Sequence, residues 1–209
     1  MSLTRSEKHS DSQSGGSPSL ELVLIDAALE LLEADPDGEL SLRAVARKAG
    51  VSHNAPYHYF ADRHALLARL HAISFQHLAD AMWDALQGAS NYFEAGATQA
   101  EKAKSTAIAV GGAYLDFAWQ HPNKFALIFD PRICSPADPL PETLVVLEQI
   151  SDILGQLGQL LLPDASAAQQ AQIAQGLWST VHGGSILART GHISRESVQE
   201  SLVTLLGLL

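Results

Sequence analysis

Residues 41–64 read SLRAVARKAGVSHNAPYHYFADRH, and the fold turns on this stretch. Ser41 stands where a helix N-cap is expected, and Leu42, Val45 and Ala46 fall on one face at helical spacing. Gly50 follows Ala49 where the chain must turn with φ > 0, a conformation glycine adopts at little cost. Ser52 is then expected to cap a second short helix whose outward positions are His53, Asn54, Tyr57 and His58. Two short helices joined by a tight Ala-Gly-Val turn, the second polar and aromatic at its start, make a helix-turn-helix. In that arrangement one helix braces while the other presents its first residues to the DNA major groove.

Base reading needs donors and acceptors aimed at base edges. His53 and Asn54 are the candidates: asparagine pairs bidentately with adenine, and the neighbouring Ala55 offers a methyl group to thymine. Tyr57, His58 and Tyr59 are expected to touch phosphates or the groove wall through their polar tips. Ser41, Arg43, Ser52 and Arg63 complete the expected DNA-facing set, whereas Phe60 is expected in the core. Pro56 lies four residues past the expected cap. It removes one early helical hydrogen bond and should bend this helix rather than break it.

The chain of 209 residues carries a formal charge of −10, an unpromising sum for a DNA binder. Its distribution is more favourable. Residues 41–64 hold Arg43, Arg47, Lys48 and Arg63 against Asp62 alone, a local balance of +3, whereas residues 71–209 balance at −7. An acidic body repels the duplex everywhere except at the basic module, which favours one orientation and limits non-specific affinity. No apolar run reaches the roughly 18 residues a membrane span requires, and the first residues lack the apolar core of a signal peptide. With a single cysteine, Cys134, no intrachain disulfide can form, which fits a reducing cytoplasm.

Working outward, residues 1–17 are Ser/Gly-rich and expected to be a disordered tail. From Ser19, the set Leu22, Ile25, Leu29 and Leu32 gives an amphipathic helix that ends at Asp35-Pro36-Asp37-Gly38. A long helix begins after Asp62 and carries Leu66, Leu70, Ile73, Leu78 and Met82. Helices are then expected over 102–120, 122–129, 144–162, 166–190 and 194–207, with a loop over 88–98 and a proline-rich loop over 130–141. Period-two alternation never persists. The expectation is an all-α protein of about nine helices, with a DNA-binding domain over 18–64 and a ligand-binding and dimerisation domain over 65–209.

The run Ala-Gly-Val-Ser, then Tyr57-His58-Tyr59-Phe60, Asp62-Arg63 and Leu66-Leu67, resembles the DNA-binding domain of TetR-type (tetracycline-repressor-like) regulators. Trp178-Ser-Thr-Val-His182-Gly183 resembles the Trp-His-Gly motif in the C-terminal domain of one subgroup, and Tyr114, Phe117-Ala118, His121-Pro122, Phe125 and Phe129 fit the same domain. The resemblance spans roughly residues 19–205. It implies a ligand-responsive repressor, and it puts Arg63 where the family usually has a phosphate-binding lysine.

A lone helix-turn-helix makes too few contacts for specific binding. A homodimer is therefore expected on a palindromic operator, with half-sites about 34–36 Å apart or at multiples of that. Its interface is expected on the last two helices: Leu177, Val181, His182, Gly184 and Ala188 on one, Val198, Leu202 and Leu205 on the other. Trp178 and His182 share a helical face; packing, with His182 hydrogen-bonded in or near the interface, is the favoured reading. Met82, Tyr114, Phe117, His121, Phe125, Phe129 and Trp178 are the candidate lining for a small, mostly apolar effector with one or two polar groups. No cofactor or metal is expected: nine histidines form no HxxxH, HExxH or CxxC-type motif, and neither a GxSxG elbow nor a glycine-rich phosphate loop occurs. An enzyme is thus disfavoured. A helical adaptor that uses the module only for packing is disfavoured by the +3 charge and the polar start of the second helix.

Overall fold

The computed structural model describes residues 19–34, 40–89, 96–134 and 139–209; the expected tail over 1–17 lies outside them. Among the described residues there are eight α-helices, one short 3₁₀ turn and no strand. In chain order these are α1 (Leu20–Ala34), α2 (Leu42–Lys48), the 3₁₀ turn Ala55–His58, α3 (Arg63–Gly88), α4 (Gln99–Gln120), α5 (Pro122–Ile128), α6 (Pro141–Leu161), α7 (Ala167–Arg189) and α8 (Arg195–Gly207). No described helix is long and apolar enough to cross a membrane.

Local chemistry explains the boundaries. Ser41 Oγ accepts from the Ala44 amide and caps α2, and Asp62 Oδ1 accepts from the Ala65 amide at 2.8 Å and caps α3. Reciprocal capping boxes start α4 (Thr98 with Glu101) and α7 (Ser166 with Gln169). Pro122 and Pro141 open α5 and α6, at positions where a missing amide leaves no helical bond unmade. Pro141 therefore begins a helix instead of ending the proline-rich loop. Gly50 adopts φ +70°, as the turn after α2 demands.

Two apolar cores share α3. In the head, Leu24, Ala28, Val45 and Phe60 pack with Leu66 and Leu70 of α3 and with Leu127 of α5. In the body, Phe75, Leu78 and Met82 from the rest of α3 pack with Tyr114, Phe125, Ile153, Val181 and Leu202 from the other helices. The head core thus draws on residues beyond position 64. Only 26 residues long, α3 spans roughly 39 Å and ties the two cores rigidly.

Close helix approach rests on three glycines, among them Gly111 of α4, where a Cβ would lie 2.5 Å from a Leu202 methyl of α8. A Cβ on Gly158 of α6 would come within 2.3 Å of the Gln170 carbonyl oxygen of α7. One on Gly184 of α7 would lie 2.4 Å from a Val198 methyl of α8.

Candidate DNA-reading surface and ligand cavity

The second element of the helix-turn-helix is tighter than its sequence pattern predicts. It is a single 3₁₀ turn, Ala55–His58, with the Ala55, Tyr57 and Tyr59 amides donating to the carbonyls of Ser52, Asn54 and Pro56. Ser52 is exposed, and no side chain caps the turn. Pro56, lacking an amide, accounts for part of this: an α-helix from Ser52 would need its N–H, whereas the turn does not.

The tightening re-sorts the expected contacts. His53, Asn54, Tyr57, His58 and Tyr59 are all exposed, Tyr57 half so at 50%. Ala55 is buried together with Pro56 on the inner side of the turn and has no methyl free for thymine. Ser41 spends its hydroxyl on the α2 cap. Arg43 is exposed. Arg63 donates from Nε to the Leu40 carbonyl at 2.8 Å, which holds its stem while the guanidinium stays at the surface.

In the body, Met82, Val110, Tyr114, Leu157, Trp178 and Val181 surround a small apolar cavity of about 30 Å³. That is room for about one water molecule. Of the expected lining only Met82, Tyr114 and Trp178 meet there. Phe117 turns instead toward a surface recess with His77 and His121. Phe125 and Phe129 stand behind the cavity wall, where their rings meet His182 of α7. The reason is geometric: these aromatics lie on two helices that cross, so their shared periodicity along the sequence does not give them a shared face.

His182 links the two groups. Its Nδ1 lies 2.7 Å from the Tyr114 hydroxyl in a hydrogen bond, and its ring centroid is 4.4 Å from that of Phe129 and 5.7 Å from that of Phe125. Burial holds the imidazole below its usual ionisation range, so it is neutral near pH 7. Burial pushes the Tyr114 hydroxyl far above the ordinary tyrosine range, with hydrogen bonding from Trp178 a smaller opposing effect. Tyr114 thus lines the cavity wall, with neutral His182 hydrogen-bonded to its hydroxyl from behind that wall.

α5 joins this wall to the head. Asn123 Nδ2 and the Lys124 amide donate at 3.4 Å to the backbone and carboxylate of Glu33 in α1, and His121 Nδ1 lies 3.8 Å from the same carboxylate. His71 Nε2 hydrogen-bonds the Ile128 carbonyl at 3.1 Å. His121 lines the surface recess and lies near Glu33, away from the cavity.

The expected dimer face needs correction. Leu177, Val181, Val198 and Leu202 are buried within the chain's own body, Leu202 at 1% exposure, and Gly184 is occupied by Val198. Half-buried His182 faces α4 and α5, and Ala188 packs against the body core. Of the named set only Leu205 is exposed. The open apolar surface lies on the other sides of α7 and α8, at Ile186, Leu187, Val203 and Leu205, with Val203 at 47%. Both faces of α7 are apolar or small, so its pattern alone does not tell the inner face from the outer.

Among the described residues no group of three or more His, Cys, Asp or Glu side chains could hold a metal ion.

Comparison with known proteins gives two family matches. Residues 24–70 match the model for bacterial regulatory proteins of the tetR family, and residues 107–208 match that for the tetracyclin repressor-like C-terminal domain. Together they cover more than half of the chain. Among solved structures, a protein of unknown function from Rhodococcus sp. RHA1 is similar at 28% identity, over 93% of this chain and 96% of its own, with a TM-score of 0.71. A TetR-like transcriptional regulator from the same organism shares the fold at 19% identity, covering 89% and 92% of the two chains, with a TM-score of 0.55. LfrR from Mycobacterium smegmatis, in complex with proflavine, shares it at 20% identity over 89% and 94%, with a TM-score of 0.52. No curated protein sequence matches the chain.

Proposed function

The chain belongs to the tetR family of bacterial regulatory proteins, and from that premise we propose that it is a repressor released from a palindromic operator by a small, mostly apolar effector. It is a DNA-binding transcriptional regulator, and its family is not one of enzymes. The observation that carries the finer reading is the exposed row His53, Asn54, Tyr57, His58 and Tyr59, set in a local +3 module on an otherwise acidic chain. Asn54 and His53 reach base edges; Tyr57, Tyr59, His58, Arg43 and Arg63 hold the backbone. Such a protein acts in the cytoplasm, where its DNA is.

Two copies meet on the outer faces of α7 and α8, which sets the two heads at a fixed separation. The effector enters at the Met82–Tyr114–Trp178 cavity. A cavity of about 30 Å³ is too small for one until side chains move. The ligand therefore favours a state in which α5 and α3 are displaced, and differential affinity for two arrangements is the only way it can act on DNA. LfrR, which was found in complex with proflavine, is a fold relative that holds a small molecule.

The test is binding of the purified protein to labelled DNA from upstream of its own gene, followed by anisotropy across a salt series. Saturable binding that resists competitor DNA and weakens with salt supports the regulator and supplies an assay for effectors. Absence of binding at low salt overturns the assignment of the exposed row and returns the module to a packing role.

A further inference from the structure

Trp178, His182, Ser185 and Arg189 recur along α7 at spacings of three and four, so they form one stripe that faces the interior. Trp178 borders the cavity, His182 follows, and Arg189 closes the stripe with its Cζ 5.5 Å from the centre of the Phe125 ring. Arg189 is half-buried, yet among the described residues it makes no hydrogen bond and no ion pair. Glu33 is the carboxylate that acts on it electrostatically, and that group is already engaged with the Lys124 amide and His121. Burial depresses the ionisation of Arg189 accordingly. As the last residue of α7, the guanidinium gains from the helix dipole, but the dipole supplies no acceptor for its five donors. The guanidinium nitrogens have no acceptor among the described residues and remain open to solvent, so an incoming anion can reach them.

We propose that Arg189 is the anchor for the acid group of the effector, and that the effector is an apolar monocarboxylic acid. The carboxylate pairs with the Arg189 fork beside His182, and the hydrocarbon part runs past Phe125 and Phe129 into the Tyr114–Trp178 cavity. A single planar carboxylate matches one guanidinium fork, whereas a phosphate is better held by more than one cation. The path passes between α5 and α7, so an acid that enters it displaces the helix that clips the head to the body. This inference rests on the effector-released reading and gives that effector a chemical class.

The test uses the full chain and isothermal titration with matched straight-chain acids and alcohols of six to twelve carbons (numbers chosen about the length of the stripe, at ~1.3 Å per bond). At least one acid is expected to bind about tenfold or more tighter than its alcohol. Arg189→Gln should abolish that preference while leaving alcohol binding unchanged, and Arg189→Lys should retain part of it. If no acid outbinds its alcohol, or if Arg189→Gln keeps the preference in a protein that melts as the parent does, the proposal is overturned. DNA anisotropy separates the two readings. An acid that binds through Arg189 without releasing DNA leaves the acid site standing and removes the effector role.

Discussion

His71, His77, His121 and His182 lie where burial works against their protonation, and in each case burial is the largest cause of the downward shift. The unfolded chain takes up protons at these side chains around the usual 6.5, while the folded chain resists until lower pH. Folding therefore releases protons, and stability present above 6.5 is lost as pH falls through the window below it. The melting temperature should drop between about pH 7 and pH 5. A flat profile would mean that these histidines titrate alike folded and unfolded. At the DNA surface, Asn54→Ala should cost about 1–3 kcal/mol at one base pair of the operator. Tyr57→Ala with Arg63→Ala should instead weaken binding on all sequences and flatten its salt dependence. Binding titrations on operators mutated one base pair at a time separate the two. Residues whose role is set by their neighbours in sequence were legible: the Ser41 cap and the positive φ of Gly50. Ala55 was not, because its burial depends on the pitch of a turn that Pro56 tightens.

Among elements, the long helices declare themselves through periodic apolar residues and strong caps, so their ends agree with expectation to within a few residues. The short ones do not. A four-residue turn has no periodicity to read, and Pro56, which lacks the amide an α-helix from Ser52 would need, favours the 3₁₀ form of Ala55–His58. The crossing of α4, α5 and α7 was also hidden. It decides which aromatics meet the cavity. The close approach of α6 to α7 was hidden in the same way, because it rests on the long-range contact of one small residue, Gly158. Gly158→Ala forces α6 away from the α7 backbone at Gln170 and should destabilise the protein by about 1–3 kcal/mol. Gly155→Ala on the same helix, where a Cβ meets open space, should be neutral or slightly stabilising. Urea unfolding of the two variants measures the contrast, and equal stability would show that the α6–α7 approach relaxes freely.

For the whole molecule, the exposed face formed by Ile186, Leu187, Val203 and Leu205 is the feature a second copy would cover. Leu187→Glu with Val203→Glu changes only exposed side chains, so folding should survive. Sedimentation should show a monomer, and operator affinity should fall by about 10²-fold or more, because each head then binds without its partner. A dimer that persists would move the interface elsewhere. The charge pattern was readable from sequence because it needs only counting; the choice between the two apolar faces of α7 needed three-dimensional packing.

The shared helix α3 has a practical consequence for anyone who would exchange reading heads between relatives. Leu66, Leu67 and Leu70 complete the head core, Phe75 and Leu78 the body core, and Leu127 arrives in the head from α5. A chimera spliced at residue 64 would leave the transplanted head missing four of its own leucines and dependent on whatever the recipient supplies. A splice between Leu70 and Phe75, with position 127 matched to the donor, keeps each half with its own complement. Heads of this kind are interchangeable only with the seam that seats them.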